Sequence, residues 1–219
     1  LVAARAAGIP VVRRQQLMPQ LMAGRVGVAV AGTHGKTTTA AMLAVVLERL
    51  GLSPSYIVGG VIADLGTNAG AGSGPHFVVE ADEYDGMFLG LNPQVAVVTN
   101  VEMDHPDCYP NLDAVRDAFA QFLARVTPNG TIVAGGDNAT VARLLAEREA
   151  GGASVVTYGL GAGNDYRVHS VEPTAAGGIA FRVTHRGEPW GAYTLVLPGA
   201  HNALNATAAL VAAELLGAD

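Results

Sequence analysis

Lysine is almost missing from this sequence: Lys36 is the only one in 219 residues. Charge of either sign is scarce, with charged residues at 15%, and acids outnumber bases by 19 to 13 for a net charge of −6. That balance argues against a nucleic-acid partner, because binding to a phosphate backbone needs clustered Lys and Arg. A phosphate ligand would have to be held locally instead, by backbone amides, one lysine and a metal ion. The single cysteine, Cys108, excludes an internal disulfide and fits a reducing cytoplasm. No partner motif marks it as a nucleophile. Uninterrupted apolar runs of membrane length are also lacking, so a cytoplasmic protein without a membrane span is expected. Against these shortages stand 50% hydrophobic residues and 28 glycines, which suit an α/β protein whose sheet is covered on both sides.

The chain is organised around Ala31-Gly32-Thr33-His34-Gly35-Lys36-Thr37-Thr38-Thr39. The apolar run Val26 to Val30 precedes it and Ala40 to Leu47 follows, so it reads as strand, tight glycine loop and helix. That is the context a phosphate-binding loop requires. Gly32 and Gly35 let the backbone expose N–H groups, the helix start adds its positive end, and Lys36 adds a full charge. The hydroxyl of Thr37 is placed to ligate the magnesium that travels with a nucleotide. Val30 stands where the common kinase and GTPase loop has a further glycine, so that version is not matched in full.

From Arg25 onward, strands and helices alternate, and the fold class expected is α/β: a P-loop mononucleotide-binding domain with a mostly parallel sheet flanked by helices. Strands are expected at Tyr56 to Val61, Pro75 to Val79, Val95 to Val98, Thr131 to Ala134 and Ser154 to Gly159. Asp64 to Gly70 reads as a glycine-rich loop, either flexible surface or substrate-facing. Asn111 to Val126 and Val141 to Arg148 read as helices. Tyr166 to Val171, Ile179 to His185 and Ala192 to Leu197 follow one another without helices, which predicts a small antiparallel subsheet near residues 165–198. Trp190, at a turn there, reads as a packing residue. Residues 1–24 look like a connector with a strand-like Ile9 to Val12, and both chain ends suggest a fragment of a longer protein.

In a parallel sheet the carboxyl ends of the strands share one edge, where ligands bind. Two buried strands end abruptly in polar residues there: Glu80-Ala81-Asp82-Glu83-Tyr84-Asp85 and Thr99-Asn100-Val101-Glu102-Met103-Asp104-His105. Acids beside a phosphate loop suit magnesium. Glu80 is the candidate ligand, with a turn acid or helix cap as the alternative; for Asp82, Glu83 and Asp85 a solvated or capping role stays open beside a site role, and is the favoured one for Asp85. His105 is either a turn residue or a contact to a second metal or the γ-phosphate. Near the end, His201-Asn202 opens a helix on which Asn202 and Asn205 share a side, fit to read an adenine edge or, for Asn202, to cap the helix.

In this order and at these spacings AGTHGKTTT, VVEADEYD, TNVEMDH and GAHNALNATAAL resemble the Mur ligase family of peptidoglycan synthesis. The resemblance runs from about Arg25 to the end. It implies that residues 25–219 are a central ATP-binding domain, that 1–24 are the tail of a UDP-binding domain, and that an amino-acid-binding domain follows. It further implies ATP and Mg2+ as cofactors. Gly32, Thr33, His34, Gly35, Lys36, Thr37 and Thr38 would cradle the nucleotide, with Asn205 and Asn202 at its base. Lys36 would steady charge on the transferred phosphoryl group, Thr37 and Glu80 would hold one magnesium, and His105 would help hold a second. Other family members carry a carbamylated lysine after the DH motif, which is impossible in a chain whose one lysine is Lys36; Phe119 or Ala120 falls near the place. The resemblance therefore implies ligation of L-alanine to UDP-N-acetylmuramate, or of a murein tripeptide to the same sugar. A P-loop kinase or GTPase and a non-catalytic nucleotide-binding module are the alternatives from other classes.

Overall fold

A computed structural model describes residues 1–148 and 152–218. Two short helices, α1 (Val2–Ala6) and α2 (Arg14–Met22), lead into β1 (Val26–Ala31), α3 (Lys36–Arg49), β2 (Ser55–Ile62), β3 (Thr67–Gly70) and β4 (His76–Glu80). A kinked 3₁₀ segment (Tyr84–Gly90) connects to β5 (Val95–Val98), α4 (Leu112–Leu123), β6 (Thr131–Gly135), α5 (Ala139–Glu147) and β7 (Ser154–Gly159). β8 (Tyr166–Pro173), β9 (Ile179–His185), β10 (Glu188–Leu195) and α6 (Ala200–Leu215) complete the order.

The ten strands among the described residues join one sheet in the order β10-β9-β8-β7-β6-β5-β1-β4-β2-β3. Pairing is parallel from β2 across to β8 and antiparallel at the two margins, β3 on β2 and β8-β9-β10. The alternation of side chains builds a core on each face. In β1, Val28 and Val30 point to the face covered by α3 and α6, while Ala29 and Ala31 point to the face covered by α2 and α4. β5 divides likewise, Val95 and Val97 against Ala96 and Val98. Being buried on both faces is why these strands read as continuous apolar runs. The alanines of α6, Ala203, Ala206 and Ala209 among them, are small enough to let that helix lie close against α3.

β4 and β2 lie to one side of β1, and β5, β6 and β7 to the other. Chain order thus diverges at β1, and the loop at its carboxyl end opens on the crevice where open α/β sheets take ligands.

Three local expectations are corrected. Ile9 to Val12 is irregular and exposed rather than a strand. Pro10 removes a ladder donor, and no strand among the described residues lies alongside. Thr67–Gly70, expected in a loop, instead folds back on β2 as an antiparallel edge strand. Asn202 does not cap α6, whose N-cap is Gly199; its amide donates to the Pro198 carbonyl at 2.7 Å. The antiparallel margin is as expected, and Trp190 packs edge-on to Tyr166 at 4.9 Å while its indole N–H donates to Glu214. No helix among the described residues is long and apolar enough to cross a membrane.

His76, at the start of β4, is buried, and its Nδ1 has no partner among the described residues. Burial lowers its pKa. The unfolded chain still takes up a proton near the ordinary value of about 6.5, so below that pH the unfolded state binds more protons than the folded one. Stability is then expected to fall as pH drops through about 6.5. Denaturant unfolding at pH 7.5 and 5.5 checks this: His76→Gln should remove part of the difference, and an unchanged difference would assign it to other groups.

Candidate active site

The loop between β1 and α3 owes its shape to two glycines in left-handed backbone conformations, Gly32 at φ 134° and Gly35 at φ 85°. Space forbids a side chain there as well. A Cβ on Gly35 would lie 2.6 Å from the Asn205 amide oxygen, and one on Gly32 would collide with the Thr99 hydroxyl. Gly35 is the N-cap of α3 and offers no side-chain cap. The first amides of the helix therefore lack a side-chain acceptor, and the helix start is left positive.

The exit of β5 fastens this loop. The Thr99 hydroxyl and the Asn100 amide both donate to the His34 carbonyl, at 2.6 and 3.0 Å. The His34 N–H donates to Asn100 Oδ1 at 2.9 Å, and the Glu102 N–H donates to the Thr33 hydroxyl at 2.9 Å. Neither Thr99 nor Asn100 was a candidate on sequence grounds. Their signal was present, two polar residues ending a fully buried strand.

Lys36 is folded back over its own loop. Its ammonium donates to the Gly32 carbonyl at 2.6 Å, the Thr33 carbonyl at 3.2 Å and Glu83 Oε1 at 2.8 Å. One position on, the Thr37 hydroxyl donates to Glu80 Oε1 at 2.9 Å. Glu80 Oε2 accepts the Gly59 N–H at 2.6 Å, and a Cβ on Gly59 would stand equally close to that oxygen. β2 thus contributes a bare backbone that lets the Glu80 carboxylate reach across to Thr37.

The third group comes from the loop after β5. His105, at φ 50°, places Nε2 3.6 Å from Glu83 Oε1 and 3.8 Å from Asp104 Oδ2. One ligand atom from each of Glu83, Asp104 and His105 lies within 4.8 Å of the other two. Tyr84 meets the His105 ring edge-on at 5.2 Å and donates its phenol to Asp107 at 2.8 Å. The Asp107 carboxylate that accepts this bond pushes the Tyr84 pKa up to about 12 and is itself held below the usual carboxylate range.

Asn202 and Asn205 stand on the first turns of α6, joined by an amide contact of 3.4 Å. With His34, Gly35, Thr38, Asn100 and His201 they line an open cleft of about 400 Å³ beside the loop. The sequence candidates Gly32 to Thr38, Glu80, His105, Asn202 and Asn205 therefore meet on one rim. Of the readings open to Glu83, solvation and capping fall away: it is 2% exposed and sits between Lys36 and His105.

A profile of the Mur ligase middle domain matches residues 30–213. The chain belongs to the Mur ligase family. It is 47% identical over 227 residues to the UDP-N-acetylmuramate–L-alanine ligase of Frankia casuarinae, covering 99% of this chain and 45% of that protein. With the enzyme of the same name from Kineococcus radiotolerans the identity is 48% over 221 residues, 100% of this chain and 46% of the other. The chain spans less than half the length of these relatives.

Among solved Mur ligase structures, the UDP-N-acetylmuramate:L-alanyl-γ-D-glutamyl-meso-diaminopimelate ligase of Neisseria meningitides superposes with a TM-score of 0.85 at 32% identity, covering 98% of this chain and 69% of that one. The UDP-N-acetylmuramate–alanine ligase of Thermotoga maritima gives 0.81 at 30%, covering 100% and 48%. The mostly parallel sheet with its antiparallel margin is the architecture shared with these enzymes.

Proposed function

We propose that this chain is the ATP-binding domain of a ligase that joins L-alanine to UDP-N-acetylmuramate, forming ADP and phosphate. The observation that carries the reading is the meeting of the Thr37 hydroxyl and the Glu80 carboxylate beside Lys36, at the uncapped start of α3. The names of its relatives supply the substrates. In this reading the loop is a P-loop, residues 1–24 end a preceding UDP-binding domain, and a domain beyond 219 takes the amino acid.

The loop amides and the start of α3 hold the phosphates, and the cleft beside Asn202 and Asn205 takes the adenine. Oxygen donors at Thr37 and Glu80, and an orphan carboxylate oxygen on Glu83, fit a hard divalent cation such as Mg2+. Bound there, magnesium would neutralise charge on the terminal phosphates. The muramate carboxylate attacks the γ-phosphate, and the amine of L-alanine then displaces phosphate from the acyl phosphate. Lys36 serves by stabilising charge on the phosphoryl group in flight, the main service a protein gives a loose transition state.

The test is ADP release by the longer polypeptide carrying this domain. It should require UDP-N-acetylmuramate and L-alanine together, and ATP in preference to GTP. Efficient turnover with the L-alanyl-γ-D-glutamyl-meso-diaminopimelate tripeptide but not L-alanine would move the chain to the tripeptide branch, which the Neisseria neighbour keeps in view. ADP release independent of the UDP-sugar would overturn the ligase reading.

A further inference from the structure

Glu83 is among the largest fully buried side chains of the described residues, and every other member of that group is apolar. Taking a carboxylate out of water costs several kcal/mol unless its charge is paired and its oxygens are satisfied. Only half of that condition is met. Oε1 accepts from Lys36, while Oε2 finds no partner among the described residues. A carboxylate offers about four lone-pair positions, and an orphaned buried oxygen in a polar site marks a missing ligand.

The surroundings indicate which ligand. His105 and Asp104 place a ring nitrogen and a second carboxylate oxygen within 4.8 Å of a Glu83 carboxylate oxygen, the His105 nitrogen standing 3.6 Å from Oε1. A mixed nitrogen and oxygen set of net negative charge takes a divalent cation, and its carboxylate oxygens suit Mn2+ as a probe. The backbone under Glu83 is held from below: the Tyr109 phenol donates to its carbonyl, and Phe88, five residues on, is locked between Phe119 and Phe122. The carboxylate is thus fixed in place while its partner can change. Lys36 is that partner, and all three of its donors are turned inward. It cannot face an incoming phosphate without giving up at least one of those bonds.

We infer that Glu83 exchanges partners: in the empty site it holds Lys36 retracted, and on nucleotide binding it releases Lys36 to phosphate and becomes a ligand, with His105, of a divalent cation. This rests on the nucleotide reading of the loop. The cation then replaces the ammonium as counter-charge, so the buried carboxylate is paired in both states.

The experiment titrates Mn2+ by electron paramagnetic resonance into the chain with and without a non-hydrolysable ATP analogue, and measures analogue affinity in EDTA by calorimetry. Glu83→Gln should weaken Mn2+ binding by the nucleotide-loaded chain roughly 10–100-fold, while affinity for the metal-free analogue stays equal or rises as Lys36 is freed. Glu83→Asp keeps the charge but withdraws it by one carbon and should give an intermediate Mn2+ affinity. It serves as the readout if Glu83→Gln melts below the assay temperature. Unchanged Mn2+ affinity in either folded variant, with analogue binding intact, would overturn the role of Glu83 alone. Failure of the wild-type chain to bind the analogue would instead overturn the reading of the loop and this inference with it.

Discussion

Lys36→Ala, made in the longer polypeptide, is expected to slow acyl-phosphate formation by at least about 10²–10³-fold, the loss typical when one group that stabilises a transition state is removed. Within residues 1–219 there is no other lysine to substitute for it. The variant carries a second effect, because Lys36 is the partner of the buried Glu83 at 2.8 Å with side-chain exposures of 14% and 3%. Leaving one member of such a pair uncompensated costs about 3–5 kcal/mol, so a loss of rate on its own could be a loss of fold. The double variant Lys36→Ala/Glu83→Gln separates the two. It should recover most of the stability, read by denaturant unfolding, and none of the rate, read as a single turnover of ATP in the presence of UDP-N-acetylmuramate. A double variant with near wild-type turnover would remove Lys36 from the chemistry.

Phe88→Ala is the change expected to hurt the fold most. Phe88 is 1% exposed, stacked on Phe122 at 4.7 Å between centroids and edge-on to Phe119 at 5.2 Å. It pins the 3₁₀ segment to α4 across the face of the sheet that carries Ala29 and Ala31. Truncation leaves a cavity between rings that cannot close on it, at a cost of about 3–5 kcal/mol, or a melting temperature lower by roughly 6–20 °C for a chain of this size. The same ring anchors the segment that begins just after Glu83. Phe88→Ala should therefore loosen the Lys36–Glu83 pair as well, which faster amide exchange at Glu83 and Tyr84 would register. A loss below about 1 kcal/mol, or exchange unchanged at those amides, would mean that the aromatic cluster does not support the site.

Fold and site were legible in the sequence to different depths. The central strands announce themselves because each is buried on both faces, so residues such as Val95 to Val98 are apolar without a break. The parallel order alone places their carboxyl ends on one rim, and with them the loop, Glu80 and His105. Edge elements are less visible. Thr67–Gly70 pairs through its backbone and has only Thr67 as a strand-forming side chain, whereas Ile9 to Val12 has the side chains and no neighbour. Glu83 was hidden for a different reason. In a run of acids following a strand, solvation is the ordinary fate, and which carboxylate turns inward depends on the kink at Asp85 and Gly86, both at positive φ. Thr99 and Asn100 were passed over because they fasten the loop rather than resemble ligands. The lone lysine was a signal for both: the one lysine of an acidic chain, set in a glycine loop, needs an acid beside it and a scaffold to hold that loop.

The central claim is that the loop from Gly32 to Thr38 holds the phosphates of ATP and that Lys36 turns to meet them. A crystal structure of the chain with a non-hydrolysable ATP analogue and Mn2+, with anomalous scattering locating the metal, tests it directly. The account predicts the terminal phosphates on the first amides of α3, Lys36 Nζ on a phosphate oxygen and no longer on Glu83, and manganese at Thr37 and Glu80 and at Glu83 and His105. Nucleotide bound elsewhere, or bound at the loop with Lys36 still paired to Glu83 at its 2.8 Å distance, would contradict it.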